Sequence, residues 1–283
     1  DSGPAVHEAA RLVDVSMLTS VIIPCWNAVE LTRVCLTQLA RHTSLPYELI
    51  AIDNGSTDDT SSWLSSFQER HGAPSRMRVL RNRQNLGYPA AMNQGIAAAR
   101  GELILFGNND AAPGPEWLEG MHAALAARTD VGGVSPCSNP PRGPSARKSW
   151  SARPWYSDTR GLERFVRASL LNPGIRAFYP SECFVPGFWF LTKRVVLDRV
   201  GGFDERYYPG GFEDWDLQWR MREAGYAVGF AGRAYAHHQW FGCSGRNGLS
   251  EIELYSGERR RILSDKFPGS AALGMEVRAF TGS

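Results

Sequence analysis

The chain has 283 residues, of which 43% are hydrophobic, which is enough for a buried core in one large domain or two small ones. Its 31 basic and 29 acidic residues leave a net charge of +2, and no run of Lys and Arg alternates with aromatic residues. A nucleic-acid partner is therefore not expected. No apolar run is long enough to cross a bilayer, and the first residues lack a signal-peptide pattern, so we expect no transmembrane segment.

The five cysteines are widely spaced and form no Cys-x-x-Cys pair; they are Cys25, Cys35, Cys137, Cys183 and Cys243. This usage predicts a reduced, cytoplasmic protein with neither a zinc site nor a disulfide framework. The chain begins at Asp1 without a methionine. Association with a membrane surface and membership of a longer polypeptide therefore remain alternatives.

The first half of the chain alternates predicted strands with predicted helices. We predict strands at 19–24, 47–53, 77–80 and 102–106, and helices at 29–42, 58–70 and 88–100. Short β-branched or apolar runs that stop at Pro or polar turn residues are typical of buried strands. Their alternation with helices predicts parallel β-α-β units in a sheet that is covered on both faces.

Polar residues follow each of these predicted strands. Ligands of such sheets bind beyond the carboxyl ends of the strands. We therefore expect one polar edge, formed by Asn27, Asp53–Ser56, Arg81–Asn85 and Asn108–Asp110.

The second half is less regular. After a predicted helix at 115–128 and a strand at 131–135, residues 136–182 are rich in Pro, Ser and Arg and predict a lid or a disordered excursion, with a helix at 162–171. We then predict a strand at 183–192, helices at 193–200 and 213–224, an apolar segment to 236 and a helical patch near 249–263.

One glycine-rich, aromatic loop, Phe203–Phe212, leads directly into the carboxylates Glu213, Asp214 and Asp216. Acidic residues at the start of a helix can simply stabilise the helix through its dipole, by ~0.3 to 1 kcal/mol each. The preceding glycines and the surrounding aromatic residues favour an enclosed site instead. A carboxylate held ionised there can accept a proton from an alcohol. Glu213 and Asp216 share a helix face and Asp214 points elsewhere, so different roles are expected.

Three further motifs are ambiguous from the residues alone. Asp110, after a predicted buried strand and beside two asparagines, suits a hard divalent cation or a helix cap. Asp53 suits a turn or an acceptor for a nucleobase N–H. His237 and His238 end the apolar segment and suit a structural role or a metal site.

Taken in order, these motifs resemble family 2 glycosyltransferases of the GT-A fold, most closely the rhamnosyltransferase-like and galactofuranosyltransferase-like branch. The resemblance spans residues 19–244. It is carried by Ser20–Pro24, Ile52–Asp58, Asn85–Gly87 with Asn93–Gly95, Asn108–Asp110, Gly201–Asp204, Glu213–Leu217 and His238.

The resemblance implies an α/β chain with a GT-A fold: a Rossmann-like, mostly parallel central sheet flanked by helices, with a smaller acceptor-side subregion. The expected divisions are a lead-in (1–17), a nucleotide-sugar-binding half (18–135), a variable loop or lid (136–182), an acceptor-binding and catalytic half (183–245) and a partly helical tail (246–283).

The resemblance also implies inverting transfer of a sugar from a nucleotide diphosphate, UDP- or dTDP-linked, to a hydroxyl of a carbohydrate, a lipid-linked glycan or another acceptor. Asp214 would be the general base, and Asp110 and His238 would hold a divalent cation, Mn²⁺ or Mg²⁺. The donor would be bound by Pro24, Trp26, Asn27, Asp53, Asn85, Gly87, Asn109 and Asp110. For the acceptor we predict Trp189, Tyr208, Glu213 and Trp215.

One departure from the family pattern matters. Asn108 and Asn109 stand where many members carry acids, which leaves Asp110 as the only charge of the metal motif. An inactive glycosyltransferase-like module that binds a carbohydrate or a partner is therefore an alternative. A sugar nucleotidyltransferase is disfavoured, because no glycine-rich phosphate loop with a basic residue follows the first strand.

Overall fold

The computed structural model describes residues 14, 16–71, 76–139, 159–170, 175–182, 184–239, 242–249, 254, 255 and 257–268. Most of the predicted lead-in, residues 140–158 and 171–174 of the predicted lid, Cys183 and the tail beyond residue 268 lie outside this range.

The strands of the described residues are β1 (Thr19–Cys25), β2 (Tyr47–Asn54), β3 (Met77–Asn82), β4 (Leu103–Gly107), β5 (Ala111–Pro113), β6 (Val131–Cys137), β7 (Phe178–Pro180), β8 (Trp189–Lys193) and β9 (Ala227–His238). The helices are α1 (Val29–His42), α2 (Thr60–His71), α3 (Gly87–Ala98), α4 (Trp117–Ala126), α5 (Thr159–Leu170), α6 (Arg194–Val200), α7 (Glu213–Glu223), α8 (Gly242–Arg246) and α9 (Gly257–Lys266). A 3₁₀ turn spans Glu205–Tyr207.

One sheet organises the chain, with the strand order β3-β2-β1-β4-β8-β6-β9-β5 and with β7 paired to β9. Strands β3, β2, β1 and β4 are all parallel, which confirms the β-α-β prediction for the first half. The second half is mixed: β8 runs antiparallel to β4 and β6, whereas β9 is parallel to β6. An α/β fold with helices on the sheet faces is confirmed.

Strand β1 shows why the sheet is buried on both faces. Val21 and Ile23 join the apolar cluster beneath α1, while Ile22 joins the cluster beneath α3. All three are 0% exposed, and burying such a side chain stabilises the fold by roughly 1.5 to 3 kcal/mol. At Gly95 of α3, a Cβ would lie 2.2 Å from Ile22 Cγ2, so a glycine is needed for this close packing.

The described parts of the predicted lid belong to the core. Strand β6 continues to Cys137, and the predicted helix is present as α5. Phe165 and Val166 of α5 pack with Cys137 and with Tyr235 of β9. The predicted strand 183–192 begins only at Trp189, because the backbone before it bonds to side chains of α7 instead of to a neighbouring strand.

The described tail packs against both halves of the molecule. Leu263 and Phe267 at α9 form one buried cluster with Tyr207 and Phe212 of the loop before α7. The described residues of the expected tail therefore share a buried cluster with the loop before α7. Among the helices in the described residues, none combines the length and apolar character that a membrane span requires.

Candidate active site

The carboxyl ends of β1, β2 and β3 lie side by side at one edge of the sheet. Cys25 is in register with Asp53, and Asn54 is in register with Asn82. Pro24, one residue before the end of β1, is half-buried there. This edge is where a nucleotide is expected in such a sheet.

Asn27 holds the loop that follows β1. Its backbone φ is 54° and that of Ala28 is 55°, both left-handed. Asn27 Oδ1 accepts the Thr57 N–H at 2.7 Å, and its Nδ2 donates to Asn247 Oδ1 at 2.8 Å. The side chain therefore bonds to the protein through both polar atoms, whereas neighbouring Trp26 is half-buried.

Asp53 keeps one carboxylate oxygen open to a ligand. Its Oδ1 accepts the Ser56 N–H at 3.0 Å, and in the described part of the chain no donor lies within hydrogen-bonding distance of Oδ2. The turn beside it needs Gly55, which has a φ of 76° and whose Cβ would lie 2.4 Å from the Gln84 carbonyl carbon. Asp53 is only 4% exposed, so a bond to Oδ2 would be well shielded from water.

The loop before α3 is fixed by an amide network centred on Asn54. Asn54 Nδ2 donates to Asn85 Oδ1 at 2.8 Å, and Asn54 Oδ1 accepts from Asn82 Nδ2 at 2.9 Å. Asn85 Oδ1 also accepts the Gly87 N–H at 2.8 Å. Gly87 has a φ of 81°, and its Cβ would lie 2.7 Å from the Tyr208 ring. Asn85 and Gly87 therefore shape the loop and bring it against the segment before α7.

Asp110 and His238 meet across the sheet, although 128 positions separate them in the sequence. Asp110 directly precedes β5, and His238 pairs with Ala111 at the end of β9. His238 Nε2 lies 3.2 Å from Asp110 Oδ1. Burial raises the pKa of Asp110, but the His238 charge and hydrogen bond outweigh it and hold that pKa below its usual range. Cys243 N–H lies 3.4 Å from Asp110 Oδ2.

The two asparagines before Asp110 behave differently. Asn109 is 3% exposed, and its Nδ2 donates to Thr32 Oγ1 at 2.9 Å, so the structure does not support a side-chain contact to the donor. The cause is the turn closed by Ala111 N–H and Asn108 O at 3.2 Å, which directs Asn109 onto α1. Asn108 Oδ1 is buried with no donor near it among the described residues. Asn108 is thus a candidate ligand that motif matching passed over.

Asp214 sits in the first turn of α7, after three left-handed residues. Gly210, Gly211 and Phe212 have φ values of 157°, 102° and 71°. Asp214 Oδ2 accepts the Gly187 N–H at 3.0 Å, and its Oδ1 accepts the N–H of the next residue at 2.9 Å. At Gly187 a Cβ would lie 2.5 Å from Asp214 Cβ, so only glycine fits.

Glu213 and Asp214 are adjacent carboxylates whose pKa values are both raised. Burial and, secondly, the Asp214 charge raise the pKa of Glu213, whose carboxylate accepts the Gly211 N–H. Burial also raises the pKa of Asp214, while the Gly187 N–H opposes that rise. Asp214 is thus the more easily ionised of the two and is poised to take a proton.

Tyr88, at the start of α3, is half-buried beside the segment that precedes α7. Burial and then the charges of Glu213, Asp214 and Asp110 raise the pKa of its phenol, so all three carboxylates act on one side chain. Its N–H donates to Pro209 O at 2.8 Å. The sequence offered a signal for Tyr88, since it directly follows Gly87 of the donor motif.

The predicted acceptor residues differ in access. Tyr208 is 55% exposed and can meet a ligand. Trp215 is stacked on Phe184 with centroids 5.0 Å apart and is met at 5.2 Å by the Phe212 ring, so its faces are largely used. Glu213 is buried.

The prediction for Trp189 is wrong. Its side chain is 0% exposed and packs against Trp117, with ring centroids 5.4 Å apart. As the first residue of β8, Trp189 points to the core face of the sheet, together with Leu191 in the same apolar cluster. A sugar ring has no access to it.

The tail contributes contacts that the sequence did not predict. Asn247 Nδ2 donates to Trp26 O at 2.9 Å. Arg259 donates to Tyr208 O at 2.9 Å, and Lys266 donates to Asp204 Oδ2 at 2.9 Å and also to Asp216. The tail thus holds the β1 loop and the approach to α7.

The chain is similar to known proteins over most of its length. The model of glycosyl transferase family 2 matches residues 20–201. The validoxylamine A glucosyltransferase of Streptomyces hygroscopicus subsp. limoneus is 30% identical, over 74% of this chain and 48% of its own length. The N-acetylglucosaminyl-diphospho-decaprenol L-rhamnosyltransferase of Mycobacterium tuberculosis is 26% identical, over 83% of this chain and 80% of its own.

Protein y4gI of Sinorhizobium fredii is 31% identical over 79% of this chain and 24% of its own length. The chain thus spans about a quarter to a half of these first relatives. In fold, GalNAc-T7 with UDP, GalNAc and Mn²⁺ gives a TM-score of 0.60 at 14% identity, covering 78% of this chain and 44% of GalNAc-T7. Staphylococcus aureus TarS with UDP-GlcNAc gives 0.54 at 18%, covering 79% and 59%. The fold is that of GT-A glycosyltransferases, and the chain belongs to glycosyl transferase family 2.

Proposed function

We propose that this chain transfers a sugar, with inversion, from a nucleotide diphosphate to an acceptor hydroxyl, using Asp214 as the general base. One observation carries the proposal: the adjacent residues Gly187 and Phe188 contact the two sides of the site. Gly187 N–H bonds to Asp214 Oδ2 at 3.0 Å, and the Phe188 ring stacks on His238, whose Nε2 lies 3.2 Å from Asp110 Oδ1. A donor-side carboxylate and an ionisable base are therefore linked through two consecutive residues. Single displacement needs this arrangement, with a base on one face of the anomeric carbon and charge neutralisation on the other.

The donor side suits a nucleobase with an imide N–H, such as uracil or thymine. Asp53 Oδ2 is the shielded acceptor for that N–H, and the loop containing Pro24, Trp26 and Asn27 would border the ribose. UDP-linked donors are also consistent with the TarS and GalNAc-T7 complexes. We therefore propose a UDP- or dTDP-sugar as the donor.

Asp110, His238 and Asn108 fit a divalent cation, Mn²⁺ or Mg²⁺. The buried Asn108 Oδ1 lacks a donor among the described residues and would gain a partner, and carboxylate, amide oxygen and imidazole are ligands that Mn²⁺ accepts. No group of three or more His, Cys, Asp and Glu is arranged as a metal site in the described residues, so the diphosphate would complete the ligand set. The cation would supply neutralisation of the leaving diphosphate.

In the proposed step, the acceptor oxygen bonds to the anomeric carbon while its proton passes to Asp214. The bond between that carbon and the diphosphate oxygen breaks, and the nucleoside diphosphate leaves with the electron pair. The Gly187 N–H keeps one Asp214 oxygen oriented during attack. Tyr208 is the exposed aromatic residue that we assign to the acceptor.

Asp214→Asn tests the proposal, because it removes the base while keeping the volume of the side chain. Removing a placed base should lower kcat by ~10²- to 10⁴-fold, with the Kd for UDP or dTDP nearly unchanged. The assay follows nucleoside diphosphate release with and without an acceptor, and calorimetry measures nucleotide binding. Asp265→Asn, an exposed aspartate in α9, is the matched control. Wild-type turnover by Asp214→Asn would remove Asp214 from the role.

The Asn108–Asn109 pair favours one second candidate, an inactive module that binds a carbohydrate or a partner. Such a module would bind nucleotide or sugar without releasing nucleoside diphosphate at any Mn²⁺ concentration. The same release assay therefore separates the two candidates.

A further inference from the structure

The turn Val185–Phe188, which leads into β8, is held from two sides. Gln218 of α7 pairs with Val185 much as a strand would: Gln218 Oε1 accepts its N–H at 2.9 Å, and Nε2 donates to its carbonyl at 2.8 Å. Ser135 of β6 donates to Pro186 O at 2.5 Å. Val185 and Gln218 are each 1% exposed, so these bonds are shielded from water. The turn is therefore anchored before it reaches the site.

Its last two residues each contact a different part of the candidate site. Gly187 donates its N–H to Asp214 Oδ2 at 3.0 Å. The Phe188 ring stacks on the His238 imidazole, with centroids 4.4 Å apart and planes 7° from parallel. The Phe188 carbonyl also accepts the Asn108 N–H at 2.8 Å. The base and the metal-site side chains are thus tied to adjacent residues, whose Cα atoms are separated by one peptide link of about 3.8 Å.

We propose that Val185–Phe188 is a positioning segment that sets the separation between the general base and the metal site. The inference rests on the proposed function, since it assigns those roles to Asp214 and to Asp110 with His238. In a single displacement, the attacking oxygen and the leaving oxygen lie on opposite sides of one carbon. A misplacement of about 1 Å between the groups that serve them can cost about 10²-fold in rate.

Each residue at the end of the segment governs its own side of the site. A Cβ on Gly187 would lie 2.7 Å from Asp214 Oδ2, so Gly187→Ala must displace the base. Phe188→Leu keeps an apolar side chain but removes the flat ring that orients His238. Gly187→Ala should therefore reduce turnover, whereas Phe188→Leu should reduce Mn²⁺ affinity. If the segment were needed only for folding, both variants would show the same loss of stability.

The experiment measures the Kd for Mn²⁺ alone, the Kd for UDP, the kcat for UDP-sugar hydrolysis at saturating Mn²⁺, and thermal unfolding, all on the full chain. We expect Gly187→Ala to lose about 10²-fold in kcat or more, with both Kd values within about 2-fold of wild type. We expect Phe188→Leu to weaken Mn²⁺ binding about 10-fold. This is the lower end of the effect that follows loss of a group orienting a metal ligand. The kcat of this variant should change little once Mn²⁺ saturates.

Gly257→Ala is the matched glycine control, since a Cβ there meets no described residue within 4 Å, and it should change none of these values. The proposal is overturned if Gly187→Ala and Phe188→Leu lower Mn²⁺ affinity equally. It is equally overturned if both variants fold and retain wild-type kcat and Mn²⁺ binding.

Failure of the proposed function gives a different pattern. A wild-type chain that binds Mn²⁺ and UDP but releases no nucleoside diphosphate would reject the transferase assignment. The Mn²⁺ result for Phe188→Leu and a crystal structure of Gly187→Ala would still decide the positioning role. An Asp214 carboxylate that stays within about 0.5 Å of its wild-type position would overturn it.

Discussion

Replacing Lys266 with methionine should loosen the tail from the helix that carries the proposed base. Lys266 Nζ donates to Asp204 Oδ2 at 2.9 Å and to Asp216, which is 0% exposed. Asp216 would keep two partners after the change: Arg220 Nε at 2.6 Å and the Tyr207 hydroxyl at 3.2 Å. The substitution therefore removes one charged hydrogen-bond donor without leaving a bare buried charge.

The expected loss follows from that count. Breaking a buried ion pair outright costs roughly 3 to 5 kcal/mol. Losing one charged hydrogen bond costs about 1.5 to 3 kcal/mol. The change removes two such bonds, but Asp216 keeps Arg220 and Asp204 keeps Arg206, so we expect a loss of about 2 kcal/mol. At about 2 to 4 °C for each kcal/mol in a large domain, Tm should fall by about 4 to 8 °C at pH 7.

The effect should depend on pH in a defined direction. Arg206 first, and also Lys266, hold the pKa of Asp204 well below its usual range, although burial raises it. A carboxylate with a depressed pKa stabilises the fold above its unfolded pKa of ~3.9, and this stability is lost as pH falls through the folded pKa. Arg206 remains beside Asp204 in Lys266→Met, so the folded pKa of Asp204 should stay depressed in both proteins. The Tm difference between wild type and Lys266→Met should therefore be constant from pH 8 down to pH ~4 and should shrink only as pH falls through these folded pKa values.

Differential scanning fluorimetry from pH 3 to pH 8 measures both features. Arg261→Met is the control, because Arg261 is an exposed cation of the same helix and methionine is an equally good helix former. An unchanged Tm for Lys266→Met at pH 7 would refute the structural role. A Tm difference that shrinks between pH 8 and pH 5, where Asp204 stays ionised, would refute the electrostatic explanation.

Three further outcomes follow from the site. Because burial raises the pKa of Asp214, kcat should rise with pH, with the midpoint of its acid limb at least one pH unit above the pKa of ~3.9 of an ordinary aspartate. A kcat that stays constant down to pH 4 would contradict this. Asn247→Ala removes the bond to Trp26 O, so it should raise the Kd for UDP several-fold at ~1 kcal/mol per bond, measured by calorimetry. Gly211→Ala should destabilise strongly in thermal melts, since its Cβ would lie 2.0 Å from Leu254 O.

The sequence was most informative in regular elements, where a local apolar pattern is enough to predict a buried strand or helix. Continuous apolar runs such as Leu103–Gly107 predicted buried parallel strands, because helices cover both faces. The turn before β8 was wrongly predicted as part of a strand. Pro186 and Gly187 lie within an apolar stretch that resembles a strand, but the N–H groups of Val185 and Gly187 bond to α7 side chains 33 and 27 positions later.

The sequence allowed candidate residues to be proposed more readily than it allowed their contacts to be predicted. Asp110 and His238 adjoin as the resemblance implied, but Trp189 is buried, because its direction from the sheet depends on a strand register that no local pattern encodes. The contact made by Asn247 was also not predicted, because no local pattern encodes it. It acts on Trp26, which lies 221 positions earlier, and nothing near it in the sequence marks that contact.

The abundance of asparagine at the donor edge has a physical explanation in the loops. Asn27, Asn54 and Asn247 each accept through the amide oxygen and donate through the amide nitrogen, so one neutral side chain joins two segments. An aspartate could only accept, and it would add negative charge beside a diphosphate. Motif matching treats such residues as ligand contacts, whereas their bonds show that they hold the loops that form the cleft. Asp53 and Asp110 can then be the charged groups of that edge that meet the donor.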